Sequence, residues 1–163
     1  MPIRFMLLVS RQGKTRLAKW YRSYSKKDKN RSIAEITNMV LSRPKKMCNF
    51  IEWRDAKIVY KRYASLYFIA CVEQSDNELI ALQTIHQYVE ILDSYFGNVC
   101  ELDLIFEFHK AYYILDELVI DGEVQETNKR TVRRVCKAQD KIMEEEQERK
   151  KRETRIWNRT PGI

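Results

Sequence analysis

The chain has 163 residues, 44% of them hydrophobic, and 30 Lys/Arg stand against 23 Asp/Glu for a net charge of +7. This length supports one domain with a full core, and no apolar run approaches the roughly 18 residues that read as a membrane-spanning helix. Cys48, Cys71, Cys100 and Cys136 are scattered, and His86 and His109 are the only histidines, which excludes the usual zinc and redox motifs and points to a reduced, cytosolic chain without disulfides.

Residues 3–9, IRFMLLV, make an apolar run of strand length. The start lacks a small-residue cleavage site and reads as a strand, not a signal peptide. SRQGK follows, with Gly13 free to take positive φ, and TRLAKWY then alternates, which predicts a β-hairpin. Ser25 is a candidate N-cap for a helix over about residues 25–43, where Ile33, Ile36, Val40 and Leu41 recur at helical spacing before Pro44 ends it. MCNFIEW, KIVYKRY and SLYFIACV predict three consecutive antiparallel strands.

From Asp76 the period changes. Leu79, Leu82, Ile85, Val89, Leu92 and Phe96 step by three or four, with Asp76 or Asn77 as cap and Gly97 as terminator. A further helical stretch over 101–120, broken near Phe108, is expected to end at Asp121-Gly122. Thr127 or Asn128 is the candidate cap of a last helix from Lys129. Its apolar stripe stops at Met143, and EEEQERKKRETR carries on as a solvated or frayed helix that becomes disordered towards Pro161. The element order predicts an α+β fold over residues 1–137, one antiparallel sheet with helices packed on it, and a charged tail, helical or disordered, over 138–163.

The positive charge is unevenly placed. Residues 1–62 hold 17 Lys/Arg against 4 Asp/Glu, residues 63–128 hold 1 against 13, and residues 129–163 hold 12 against 6. Folding is expected to join the first two blocks, with any remainder facing an acidic partner or membrane surface, while most of the net basicity belongs to the tail. The tail's acids are interleaved with its bases and its apolar face is poor, so a solvated helix is preferred to a membrane-binding one.

Motifs for chemistry are weak. Gly13-Lys14-Thr15 looks like the end of a phosphate loop, but Leu8 stands where that motif needs glycine and a strand follows instead of a helix, so a hairpin turn is the better reading. Lys61, Arg62 and Tyr63 suit a solvated sheet face better than nucleic-acid stacking. Glu101 and Asp103 sit where carboxylates favour a helix start. Nothing supports catalysis. One stretch stands out: RYASLYF, residues 62–68, places Ala64 and Ser65 among bulky neighbours, where a strand that only packs a core more often carries Val or Ile.

LLVSRQGKTRLAKWY, MCNFIEWRDAKIVYKRYASLYF, DNELIALQTIHQYVEILDSYFGNVCELDLIFEF and GEVQET together resemble the small, sigma subunits of heterotetrameric clathrin adaptor complexes. LLVSRQGK and FIEWRDAKIVYKRYASLYF are nearer the trans-Golgi and endosomal type than the plasma-membrane type. The resemblance spans nearly all of residues 3–128. It departs at Pro2 and in the longer, more charged tail after about residue 137, which carries Trp157.

The resemblance implies a longin-like fold, a five-stranded antiparallel sheet flanked by helices, with no enzyme activity and no cofactor. It implies a subunit that packs directly on a gamma-type large adaptin, with a beta-type chain and a medium chain in the same complex. Clathrin and membrane are reached indirectly, and nucleic acid is not a partner. The expected location is cytoplasmic, peripheral on trans-Golgi network, endosomes and clathrin-coated vesicles. The implied ligand is a cargo tail with an acidic dileucine signal: an acidic residue, three variable positions, then leucine followed by leucine or isoleucine. By matching stretches, Ala64, Leu66 and Phe68 of RYASLYF, Val89 of the long helix, and Asn98, Val99, Leu102 and Leu104 of GNVCELDL would line two leucine pockets. Ala64 would leave room, Asn98 would bond the peptide backbone, and Arg16 would face the acidic residue. The alternatives are a scaffold subunit without cargo binding and a free-standing longin-type trafficking regulator.

Overall fold

A computed structural model describes residues 3–44, 49–120, 123–124 and 129–159. The opening hairpin is β1 (Ile3–Ser10) and β2 (Thr15–Trp20), followed by α1 (Lys26–Leu41) and the strands β3 (Phe50–Trp53), β4 (Ala56–Tyr63) and β5 (Leu66–Glu73). Then come α2 (Glu78–Phe96), α3 (Glu101–Phe106), α4 (Phe108–Leu118), a two-residue ribbon of β6 (Val119–Ile120) and β7 (Glu123–Val124), and α5 (Lys129–Arg159). The five main strands form one antiparallel sheet in the order β2-β1-β5-β4-β3.

The order explains the composition of the strands. β1 and β5 are central, so both of their faces are buried and both read as near-continuous apolar runs. Met6, Leu8, Leu66, Phe68 and Ala70 face the core beneath α2, α4 and α5. Phe5, Leu7, Val9, Ile69 and Cys71 face α1. Ile3 joins the first set out of phase, because the register between β1 and β5 shifts between Ile3 and Phe5. The edge strand β2 is covered: the Tyr112 hydroxyl of α4 accepts from Ala18 N–H at 3.0 Å and donates to Ala18 C=O at 3.1 Å. That satisfies backbone groups an edge would otherwise expose.

Several local expectations hold. Gly13 takes φ +84° in the β1–β2 turn, where its N–H donates to Ser10 C=O, so Gly13-Lys14-Thr15 is a hairpin turn. Ser25 caps α1, its hydroxyl accepting from Asp28 N–H at 3.1 Å. Asn77, not Asp76, caps α2, while the Asp76 carboxylate receives Glu73 N–H at the end of β5. The stretch from 101 is broken as expected, at Glu107, and its second half stops at Leu118. Basic and acidic blocks are joined by Arg4–Glu73, Arg16–Glu101, Lys19–Asp116, Arg22–Glu73 and Lys57–Glu78.

Two expectations need correction. RYASLYF is not one strand: Tyr63 pairs with Leu66, and Ala64-Ser65 form the two-residue turn between β4 and β5. Leu79 belongs to the helical repeat but is 68% exposed, and Ala81, Ile85, Tyr88 and Leu92 carry the buried face of α2. The short β6–β7 ribbon has no sequence signature long enough to read. Of the two expected states of the charged tail, the described residues show the solvated helix, with α5 continuous to Arg159 and every residue from 141 to 159 exposed. Glu-to-Arg spacing of four supports it, as in Glu148–Arg152 and Arg149–Glu153. Asp121-Gly122, Thr127, Asn128 and Pro161 lie outside the described residues.

Candidate functional site

The residues expected to receive leucines come from three elements. Two-residue hairpin turns favour positive φ, and Ala64, at φ +52°, supplies it at the first turn position. Its neighbour Ser65 accepts Arg11 N–H at 3.0 Å, which ties this turn to the β1–β2 turn. Ala64 and Ser65 thus form the turn, although Ala adopts positive φ at a cost that Gly, Asn or Asp largely avoids.

Leu66 and Phe68 point down from β5 and are fully buried, with Phe68 edge-on to Tyr88 of α2 at 6.1 Å. Tyr88 in turn donates to Ala111 C=O at 2.7 Å, and burial raises its hydroxyl pKa well above the usual value. Val89, one position on, joins the same cluster.

α2 ends in two successive left-handed residues, Gly97 (φ +64°) and Asn98 (φ +68°). Glycine and asparagine are the residues that adopt this geometry most easily. The reversal sends Val99 back under the sheet and starts α3, whose Leu104 is buried in the same cluster. Asp93 organises the turn. Its carboxylate accepts from Tyr63 O–H at 2.7 Å and from Val99 N–H at 3.1 Å, and its carbonyl accepts the Asn98 N–H. The Asp103 carboxylate accepts Cys100 N–H at 2.9 Å and closes the start of α3.

The structure thus brings Leu66, Phe68, Val89, Val99 and Leu104 into one apolar cluster, each at most 3% exposed. Ala64, Asn98 and Leu102 do not join it. They stand at the surface, Leu102 at 60% exposure. Arg16 reaches across β2 to the first residue of α3: its Nε lies 2.8 Å and its Nη2 2.7 Å from Glu101 Oε1. Glu101 is therefore an ion-pair partner and not only a helix-start carboxylate. These five side chains are buried, and two open clefts among the described residues lie apart from them, one between the β1–β2 turn and α1, another beside Tyr60, Arg62 and Tyr67.

Tyr63, Asp93 and Glu101 were missed as site residues. Asp93 carried a signal, since a carboxylate in the last turn of a helix opposes the dipole and calls for a compensating partner. Tyr63 and Glu101 carried none, because their partners are remote in sequence. Cys71 is buried, its thiol pushed up to about 12 by burial, and Cys100 is free and exposed. Cys48 and the Cys136 side chain lie outside the described residues. Among the described residues no group of His, Cys, Asp and Glu is placed to hold a metal, and no helix is long and apolar enough to cross a membrane.

Comparison with known proteins agrees with this architecture. Residues 2–143 match the family described as clathrin adaptor complex small chain. The chain is 63% identical over 144 residues to AP-1 complex subunit sigma-2 of Dictyostelium discoideum, covering 88% of this chain and 94% of that one. It is 56% identical over 145 residues to AP-1 complex subunit sigma-1A of Homo sapiens, covering 89% and 92%. The fold superimposes with a TM-score of 0.72 and 27% identity on a chain of a homology model of the full-length AP-3 complex in a stretched open conformation, covering 90% of this chain and 98% of that one. The matched family segment ends at Met143, where the apolar stripe of α5 gives out. With the five-stranded sheet, its flanking helices and this family match together, the chain belongs to the small, sigma-type chains of clathrin adaptor complexes, non-enzymatic subunits of vesicle trafficking that assemble with large and medium adaptins.

Proposed function

We propose that this chain is the cargo-reading small subunit of an AP-1-type complex at the trans-Golgi network and endosomes, and that it binds acidic dileucine signals at the strip defined by Ala64, Leu66, Phe68, Val89, Asn98, Val99, Leu102 and Leu104, with Arg16 at its acidic end. The observation that carries the reading is the single cluster of Leu66, Phe68, Val89, Val99 and Leu104 next to an exposed Leu102 and an accessible arginine. The identity to AP-1 sigma chains supports the compartment and direct packing on a gamma-type large chain, with clathrin and membrane reached through the complex. The reading keeps residues 1–137 as the adaptor domain and 138–163 as a charged appendage.

Because Leu66, Phe68, Val89, Val99 and Leu104 are buried against one another, the reading has the segment from Asn98 to Leu104 moving off β5 and α2 to admit the leucines. Two leucines buried there contribute about 1.5–3 kcal/mol each and an exposed acidic contact about 0–1 kcal/mol. Ordering the peptide offsets much of this. The result is a weak signal that works through several simultaneous contacts on a membrane.

The test is Ala64→Asp in the assembled complex. Asp accepts positive φ at least as well as Ala, so assembly should persist while binding of an acidic dileucine peptide is lost. Retained binding would place the site elsewhere. A scaffold role without cargo binding draws on the closed cluster, and it predicts equal, negligible binding of dileucine and dialanine peptides by the unaltered complex. The free-standing regulator loses its support from the family match.

A further inference from the structure

We infer that Glu101 is an intrachain competitor for the signal's acidic residue on Arg16, and so a specificity-determining residue of the site. The inference rests on the dileucine reading above. In the unliganded chain both inner donors of the Arg16 fork converge on a single oxygen, Glu101 Oε1, at 2.8 and 2.7 Å. The Nε–Nη2 edge of the Arg16 guanidinium is thus already engaged by a carboxylate of the chain's own.

Three features make the contact exchangeable. The side chains of Arg16 and Glu101 are 24% and 23% exposed, so solvent and a peptide carboxylate reach both. Glu101 has no second partner among the described residues. The nearby carboxylate Asp103 is committed to Cys100 N–H and does not replace it. Glu101 also directly precedes the exposed Leu102, so a peptide lying along the strip passes the pair on its way to the cluster.

On the Nε–Nη2 edge of the guanidinium, binding is then an exchange of one carboxylate for another, with Glu101 released to water. Such an exchange adds little net affinity, since the Coulombic gain of the new pair is offset by loss of the old one. Its effect is on selection. A peptide without an acid leaves Arg16 with Glu101 and gains nothing there, whereas an acidic peptide gains only the margin by which its geometry betters Glu101. Removing the competitor should release the full gain, and to acidic signals alone.

The experiment is a double-mutant cycle in the assembled complex, wild type and Glu101→Gln, against two synthetic peptides that differ only in Glu or Gln four residues before the first leucine. Removal of the competitor should tighten the acidic peptide about three- to tenfold, the range of an ion pair at partial exposure, and leave the Gln peptide within twofold. Equal tightening of both peptides would mean that Glu101 only fastens α3 over the cluster, and would overturn the inference. No tightening would overturn it too. Glu101→Ala repeats the test without an amide that re-bonds Arg16, and co-purification with the large and medium chains in unchanged ratio controls for folding. If the wild-type complex binds neither peptide, the dileucine reading itself fails and takes this inference with it.

Discussion

Arg4 and Arg16 sit at opposite ends of the same opening hairpin, and the same chemistry does two different jobs there. Arg4 is 8% exposed. Its Nε donates to Glu73 at 3.0 Å and its Nη1 to Asp55 at 3.1 Å, and Glu73 is further held by Arg22. These contacts join the end of β5 and the β3–β4 turn to β1, so the guanidinium is saturated by two acids from separate elements. Arg16 has one acid, one acceptor oxygen and about a quarter of its surface in water. A saturated arginine braces the sheet, while a singly paired, accessible one is able to change partners. Partner number and exposure, rather than charge, separate a structural ion pair from an exchangeable one.

The largest expected effect lies at the saturated end. Arg4→Gln should destabilise the chain by about 1–3 kcal/mol, the range for hydrogen bonds to charged groups, and lower the thermal midpoint of the assembled complex. The affinity difference between the acidic and the Gln peptide should stay as in the wild type. If that difference changes, the two ends communicate and the comparison breaks.

Tyr63→Phe tests how the closed strip is held. It removes the hydroxyl from Asp93, which then keeps only the Val99 N–H on its carboxylate. The expected outcome is a small loss of stability, with faster hydrogen exchange at the Val99 amide and little change elsewhere in the sheet. Unchanged exchange at Val99 would show that burial of its side chain, not Asp93, holds the loop.

The smallest effect is the acid response of the brace. Hydrogen bonds from Arg4 are the main cause holding both Glu73 and Asp55 below the usual carboxylate range. Depressed carboxyls stabilise fully above their unfolded values, about pH 4, and that contribution is lost as the pH falls through the lower folded values. The wild type and Arg4→Gln should therefore converge in stability below about pH 4, as read by unfolding at a series of pH values. A constant gap would locate the Arg4 contribution in packing of its stem.

Much of this molecule is legible in its sequence where the signal is local. The β1 run, the capping Ser25, the 3–4 spacing through α2, the glycine at its end and the break before Phe108 each announce an element through the physics of neighbouring residues. RYASLYF shows where such reading goes astray. Its small central pair reads as space within a strand, yet Ala64 and Ser65 form a two-residue turn, because residues three apart, Tyr63 and Leu66, face one another across a hairpin. The apolar members of the candidate site were identified through resemblance, and their composition alone fits core packing equally well.

Read alone, the sequence carries the class of every long element, the split of charge that folding has to reunite, and membership in a family through stretches that span nearly all of residues 3–128. What only the tertiary structure decided was pairing at long range: Arg16 with Glu101, Tyr63 with Asp93, Tyr112 with the edge of β2. Secondary structure follows from interactions within a few residues, so the chain writes it locally. A contact between residues 30 to 94 positions apart depends on how whole elements dock. That docking is settled by the shape and burial of the assembled core.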